Sequence, residues 1–366
     1  LNPHVELELF GVNRSFRYQT IKKQLIRALE QSGVDYTLSD IGDIDKFIEI
    51  GLDSVPAIRV DHEQLFSMDP ENAHKSVESV YTYIVNKKMH SLLVPVDFSA
   101  CAENALNYAV ALAPHLGLKL DILHVYHPVV DPHNAVILDS DLGTTMRTRL
   151  EELGQSYRGD ADKNTFDRPV TTRFEIGFPL QVIEDVSKED SVSLIVMGTL
   201  GATNMVDQVL GSNSSSAANK SRKPIILIPP DVTFTPPKHI VAAFSDELVN
   251  SEAIHRLFEF NKPFGAHIDF VHVQGDNPQQ FSEIRNKLMR RIFADGTPSF
   301  SFDVHEIAKS ERNIAVSIQS YADKHKPDLL VVTSKRRGLI NKLFHASVSR
   351  HICLNPNGPI LVLHDD

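Results

Sequence analysis

Gly117-Leu-Lys-Leu-Asp121-Ile-Leu-His124-Val125 returns further along the chain as Gly265-Ala-His-Ile-Asp269-Phe-Val-His272-Val273, with the same spacing of glycine, aspartate, histidine and valine. Each copy is an apolar strand entered through a glycine. Ser193-Leu-Ile-Val-Met197 likewise returns as Asp328-Leu-Leu-Val-Val332, and Pro224-Ile-Ile-Leu-Ile228 as Pro359-Ile-Leu-Val-Leu363, both at an offset of 135 residues. The repeat predicts two copies of one domain of about 130 to 140 residues.

Within each copy, apolar strands alternate with helical patterns. From Ser91, the strand Leu92 to Val96 leads into a helix of Ala, Leu and Tyr and then the strand Leu120 to Val125. Strict alternation of this kind predicts an α/β fold with a parallel sheet covered by helices. Pro229 to Lys238 (PPDVTFTPPK) separates the copies, because its prolines continue neither a helix nor a central strand. The expected divisions are 1–89, a small α/β unit; 90–229, the first copy; 230–237, a linker or sheet-to-sheet crossover; and 238–366, the second copy.

The chemistry concentrates after the strand ending at Met197, where Gly198-Thr-Leu-Gly201, nine further residues and Gly211-Ser212-Asn213-Ser214 lead into a helical pattern. Glycine lets a phosphate approach main-chain N–H groups without a Cβ in the way. A helix beginning near Ser212 adds unpaired N–H groups and the positive end of its dipole. Ser212 and Ser214 supply hydroxyls to phosphate oxygens or cap that helix. Pro95-Val96-Asp97 ends the first strand of the copy, and ligands of open α/β sheets sit beyond the carboxyl ends of strands. Asp97 is therefore expected to face the same crevice as Gly198, accepting from a ribose or holding a divalent cation, with the N-cap of a helix near Ser99 as its structural alternative. His124 reads as a packed strand histidine, not as a catalyst.

The residues Leu92-Leu-Val-Pro-Val-Asp97-Phe-Ser99, Leu123-His-Val125, Gly177-Phe-Pro179, Gly198-x2-Gly201-x9-Gly211-Ser212 and Pro224-Ile-Ile-Leu-Ile228 together resemble the universal stress protein family over nearly all of residues 91 to 229. The resemblance implies a five-stranded parallel sheet of the adenine-nucleotide α-hydrolase-like (Rossmann-like) type. Its glycine pattern is that of the family's ATP-binding branch. It implies ATP or another adenine nucleotide as ligand, with Mg or Mn beside it. Asp97 would contact ribose or metal and the backbone of Val125 the adenine. Pro95, Val96 and Met197 would border the site, and the Gly198 to Ser214 loop, with Gly201, Gly211, Ser212, Asn213 and Ser214, would take the phosphates.

The second copy keeps the scaffold and loses these groups. Thr333, Arg336 and Ala346 stand where the first copy has Gly198, Gly201 and Gly211, and Phe244 reads as the replacement of Asp97. Each restores a Cβ or removes the carboxylate, so no comparable nucleotide site is expected there. Arg336 and Arg337 could clasp an anion as side chains or form a solvated face. The resemblance implies an intrachain pseudo-dimer in which the degenerate half is a packing partner, using its last strand near Ile360; homodimerisation of the chain stays open.

Residues 5 to 89 resemble a thioredoxin or glutaredoxin-like module through the order of their elements and through Ser54-Val55-Pro56-Ala57-Ile58, where that family carries a cis proline. A redox member has CxxC after its first strand, whereas Ser15-Phe-Arg-Tyr18 stands here and no cysteine precedes Cys101. Without a thiolate there is no thiol-disulfide chemistry. The unit reads as a docking module for an unidentified protein partner, or as a packing domain.

Composition agrees with this division. A hydrophobic fraction of 42% and a charged fraction of 23% describe a folded protein. A net charge of -10 opposes nucleic-acid phosphates, and no apolar run approaches the roughly 18 residues of a membrane span. Leu1 to Phe10 lacks the pattern of a secretory signal, which makes a cytoplasmic address the expectation. Cys101 and Cys353 lie apart and read as ordinary helix residues. The leading function is nucleotide-dependent regulation in a stress response. Slow ATP hydrolysis or phosphoryl transfer at the same site is the enzymatic alternative, disfavoured because no Lys or Arg lies between Gly198 and Ala218. A scaffold with an empty site is the other.

Overall fold

The computed structural model describes residues 4–32, 34–127, 140–157, 170–199, 221, 223–244, 252–275, 278–294, 296–311, 314–335 and 358–365. Its strands form two sheets.

The N-terminal elements are β1 (Val5–Phe10), α1 (Phe16–Ser32), β2 (Tyr36–Ile41), α2 (Ile44–Glu49), β3 (Ala57–Val60), β4 (Gln64–Ser67) and α3 (Ala73–Lys88). The sheet order is β2-β1-β3-β4, with β1 parallel to β2 and antiparallel to β3, and β3 antiparallel to β4. Tyr18, Ile21, Leu25, Ala28 and Leu29 are buried along α1, at the three- and four-residue spacing that lines one helical face. The edge strand β4 escapes the sequence reading because Gln64-Leu-Phe-Ser67 is short and only half-buried. Ser15 caps α1, its Oγ accepting the Tyr18 N–H at 3.2 Å, while the buried Tyr18 hydroxyl donates to Asp40 Oδ1 at 2.6 Å. The Val55–Pro56 bond is cis.

The first repeat contains β5 (Ser91–Pro95), α4 (Ala100–Leu116), β6 (Lys119–Tyr126), α5 (Ser140–Tyr157), β7 (Val170–Ile176), α6 (Pro179–Ser187), β8 (Val192–Gly198) and β9 (Ile225–Ile228). The second contains β10 (His239–Ala243), α7 (Glu252–Asn261), β11 (His267–Val273), α8 (Pro278–Ile292), β12 (Phe302–Ile307), α9 (Ile314–His325), β13 (Leu329–Lys335) and β14 (Ile360–Asp365). Leu92, Leu93 and Val94 of β5 are fully buried, as a strand covered on both faces requires. Ala102, Ala105, Leu106, Ala109, Leu112 and Ala113 form the buried stripe of α4. Its small residues bring the helix backbone close to the sheet. Gly117 directly follows α4 and Gly265 stands after a turn beyond α7, both in the left-handed region, at φ +63° and +60°, so the glycine that opens each repeated strand meets the same conformational demand twice.

The two expected five-stranded sheets are one sheet of ten strands, ordered β12-β11-β10-β13-β14-β9-β8-β5-β6-β7. The joint is antiparallel, β14 against β9, with Ile360 opposite Leu227, Leu361 opposite Ile226 and Val362 opposite Ile225. One apolar core runs through it, from Leu93, Ile195 and Met197 to Val241, Leu330 and Val362. Each repeat thus hides the other's edge strand, which would otherwise expose a row of unpaired backbone groups. The proline-rich connection carries the chain from β9 past β14 and β13 to β10. Asn104 of α4 holds its beginning, its side-chain amide donating to Pro229 O at 3.1 Å and Val232 O at 3.2 Å. Among the described residues, no helix is long and apolar enough to cross a membrane.

Candidate functional site

In the strand order β9-β8-β5-β6-β7, the chain leaves β5 in one direction along the sheet and returns to its other side with β8. The crevice beyond the carboxyl ends of these two strands is the switch point at which open α/β sheets bind ligands. Pro95, Val96 and Asp97 close β5, Val125 lies near the end of β6, and Met197 and Gly198 end β8. All six therefore belong to the same end of adjacent strands. Gly201, Gly211, Ser212, Asn213 and Ser214 lie outside the described residues, as do Arg336, Arg337, Ala346 and Cys353 of the second copy.

Asp97 is exposed at the mouth of the crevice, and its Oδ1 accepts the Ser99 N–H at 3.0 Å. The helix cap is Ser99, whose Oγ accepts the Ala102 N–H at 3.2 Å. Ser99 thus takes the capping role offered as the alternative for Asp97, and the Asp97 carboxylate turns the chain ahead of α4. Between them Phe98 sits at φ +59°, uncommon for a bulky residue. Its ring lies 4.5 Å from the His124 ring, and the Arg149 guanidinium stands over it at 4.4 Å. Arg149 comes from α5, so a cation stands over Phe98, the residue after Asp97, that no local pattern around either glycine or aspartate announces. Thr199, the last described residue after β8, is buried, and its N–H donates to Ile228 O at 3.0 Å.

Gly198 has a packing requirement of its own. A Cβ built on it would stand 2.7 Å from Cys101 Sγ and 2.8 Å from Cys101 O, on the first turn of α4. Helix and strand end approach one another across the switch point so closely that only glycine fits. Cys101 is a helix residue, as expected.

His124 is buried, and its Nδ1–H donates to Val96 O at 2.8 Å. Burial pushes the imidazole below its ordinary value of 6.5; the bond to Val96 O and the nearby Asp97 act against this, and Arg149 adds to it. The sign follows by linkage. Between the depressed folded value and about 6.5 the unfolded chain binds the proton and the folded chain does not, so stability falls as pH drops through that window. We expect the melting temperature of the wild type to fall more steeply than that of His124→Gln between about pH 7 and about pH 5.5. Parallel slopes in a thermal melt series would contradict this.

The second copy reproduces the backbone frame. The Phe244 N–H donates to Val271 O as the Val96 N–H donates to Leu123 O, and His272 Nδ1 meets Phe244 O at 3.2 Å as His124 meets Val96 O. Phe244 is therefore the counterpart of Val96, not of Asp97. Residue types alone place Phe244 one position too far along the strand end, and the counterpart of Asp97 is Ser245, outside the described residues. Thr333 does occupy the Gly198 position: Thr333 pairs with Leu363 in β14 as Gly198 pairs with Ile228 in β9.

The sequence model of the universal stress protein family matches residues 89–229 and again 237–364. The universal stress protein YxiE of Bacillus subtilis is 28% identical over 145 residues, 38% of this chain and 98% of that protein. The universal stress protein MJ0577 of Methanocaldococcus jannaschii is 23% identical over 154 residues, 37% of this chain and 93% of that protein. A crystal structure of a universal stress protein from Archaeoglobus fulgidus superposes with a TM-score of 0.59 at 17% identity, covering 75% of this chain and 96% of that one, which is a likeness of fold.

Proposed function

We propose that this chain, which belongs to the universal stress protein family through two tandem domains, binds an adenine nucleotide, ATP foremost, in its first copy as a regulatory ligand in a stress response. The observation that carries the reading is the meeting of Asp97 and Gly198 at the switch point of the sheet. At the ribose end the residues present suit the ligand. Asp97 is an exposed acceptor, Val125 offers backbone groups beside it, and Arg149 supplies positive charge. The phosphate end rests on the Gly198 to Ser214 sequence. Mg or Mn would bind with the nucleotide, through its phosphates and Asp97. Thr333 at the Gly198 position argues against an equivalent site in the second copy, which serves as the partner of a pseudo-dimer through β14.

The ligand is held, and its hydrolysis is slow. His124 is tied to Val96 O, and the Arg149 guanidinium lies over an aromatic ring, so neither is set as a base or phosphate clamp in this arrangement. The N-terminal unit is read as a thioredoxin-like docking module without redox activity. Its β2-β1-β3-β4 order supports the fold, and Ser15 as the helix cap stands where a redox member needs cysteine.

Thermal unfolding of nucleotide-free wild type and Gly211→Lys, each with and without ATP and magnesium, tests the reading. A hundredfold excess over the dissociation constant stabilises by about 2.7 kcal/mol. That shift is expected in the wild type and absent in the variant; no shift in either would leave the empty scaffold as the better description.

A further inference from the structure

The amino ends of three strands in the second copy carry a cluster that nucleotide binding does not use. His239 opens β10, His267 and Asp269 open β11, and Asp303 and His305 lie on β12. The parallel register sets His239 beside His267 and Asp269 beside Asp303, which gathers these side chains toward the amino ends of the second copy's strands. Asp269 is at the centre, with its side chain 8% exposed, while that of Asp303 is 66% exposed. His267 Nε2 lies 3.2 Å from Asp269 Oδ1 and 3.4 Å from Asp303 Oδ2, and His305 Nε2 lies 3.4 Å from Asp269 Oδ1.

We propose that His267, Asp269 and Asp303, with His305 beside them, bind a divalent transition-metal ion of the zinc class. Donors about 2.0 to 2.1 Å from one tetrahedral ion stand about 3.3 to 3.4 Å apart, close to the 3.2 Å and 3.4 Å that separate His267 Nε2 from the Asp269 and Asp303 carboxylates. The ligand atoms of His267, Asp269 and Asp303 all fall within 4.8 Å of one another. Mixed imidazole and carboxylate donors suit Zn²⁺ and its neighbours, whereas Mg²⁺ prefers oxygen alone.

The surroundings orient the donors as a metal centre requires. Ser301 Oγ meets His267 Nδ1 at 2.8 Å, which can fix the ring with Nε2 toward the carboxylates. His239 Nε2 at 2.9 Å and the Tyr321 hydroxyl at 3.2 Å both meet Asp269 Oδ2, leaving Oδ1 toward His267 and His305. The first copy keeps the acid and lacks the imidazoles. Gly117 to Val125 matches Gly265 to Val273 residue for residue, so Asp121 corresponds to Asp269 and Lys119 to His267; in the strand before, Ser91 corresponds to His239. An ammonium tethered to the chain in one copy gives way in the other to groups that bind a cation from solution. The partial exposure of His267, His305 and Asp303 leaves an entry path.

The test uses the full chain, freed of metal by chelator and of nucleotide by dialysis, and titrated with Zn²⁺ and with Co²⁺ as its spectroscopic stand-in. We expect about one equivalent of Zn²⁺ per chain by elemental analysis, and intense Co²⁺ d–d absorption displaced by Zn²⁺. Asp303→Asn, at an exposed position that leaves the fold intact, and His267→Gln should each weaken binding about tenfold or more, and Ser301→Ala about tenfold. Failure of the wild type to retain Zn²⁺ at micromolar concentration would overturn the proposal, leaving a proton-bridged cluster. Unchanged affinity in Asp303→Asn would overturn it as well.

Discussion

Gly198→Ala is expected to destabilise the first copy by about 3 kcal/mol, because the added methyl would meet backbone as well as sulfur on the first turn of α4. A flexible side chain could swing aside; the Cys101 carbonyl moves only if the helix moves. That helix carries the buried stripe from Ala102 to Ala113 against β8 and β9, so a shift there disturbs the packing on those strands. Urea denaturation would show the loss as a lower midpoint. Gly143→Ala is the control: it lies within α5 with nothing within 4 Å of the added Cβ, and the better helix propensity of alanine should stabilise by up to about 1 kcal/mol. If Gly198→Ala proves as stable as the wild type, the helix contact is not what demands glycine, and close phosphate approach becomes the remaining reason. Lowered stability with unchanged nucleotide affinity would instead make Gly198 a residue of the frame.

Leu361→Asp is expected to open the joint between the repeats at a cost on the order of 4 kcal/mol, since the position is fully buried opposite Ile226 and offers a carboxylate no partner. The two halves should then melt in separate calorimetric transitions, with new proteolytic cleavage between Pro229 and Lys238. Leu361→Val keeps the strand apolar and should cost only about 1 kcal/mol, with a single transition retained. One cooperative transition in Leu361→Asp would show that the strand pairing does not couple the halves.

Much of this was legible along the chain because it is periodic. The repeated Gly117 to Val125 and Gly265 to Val273 strands, the alternation around them and the proline-bearing connection depend on local chemistry, and each is found where the pattern predicts. Strand ends were read less well. At the end of β10 residue types alone pair Phe244 with Asp97, whereas the backbone bond to Val271 fixes the register and pairs it with Val96. The edge strand β4 was missed because half-buried residues leave a weak alternation.

What the sequence determined by itself is the family, the tandem α/β scaffold, the order of its elements and the loss of glycines in the second copy. Only the tertiary structure decided that the two sheets are one, that Arg149 stands over Phe98, that Gly198 must clear a helix, and that Asp269 gathers three histidines. The reason is physical. Periodicity is written in neighbours a few residues apart, whereas an edge pairing, a steric gap or a ligand cluster depends on groups that parallel strands bring together from about thirty or more residues away.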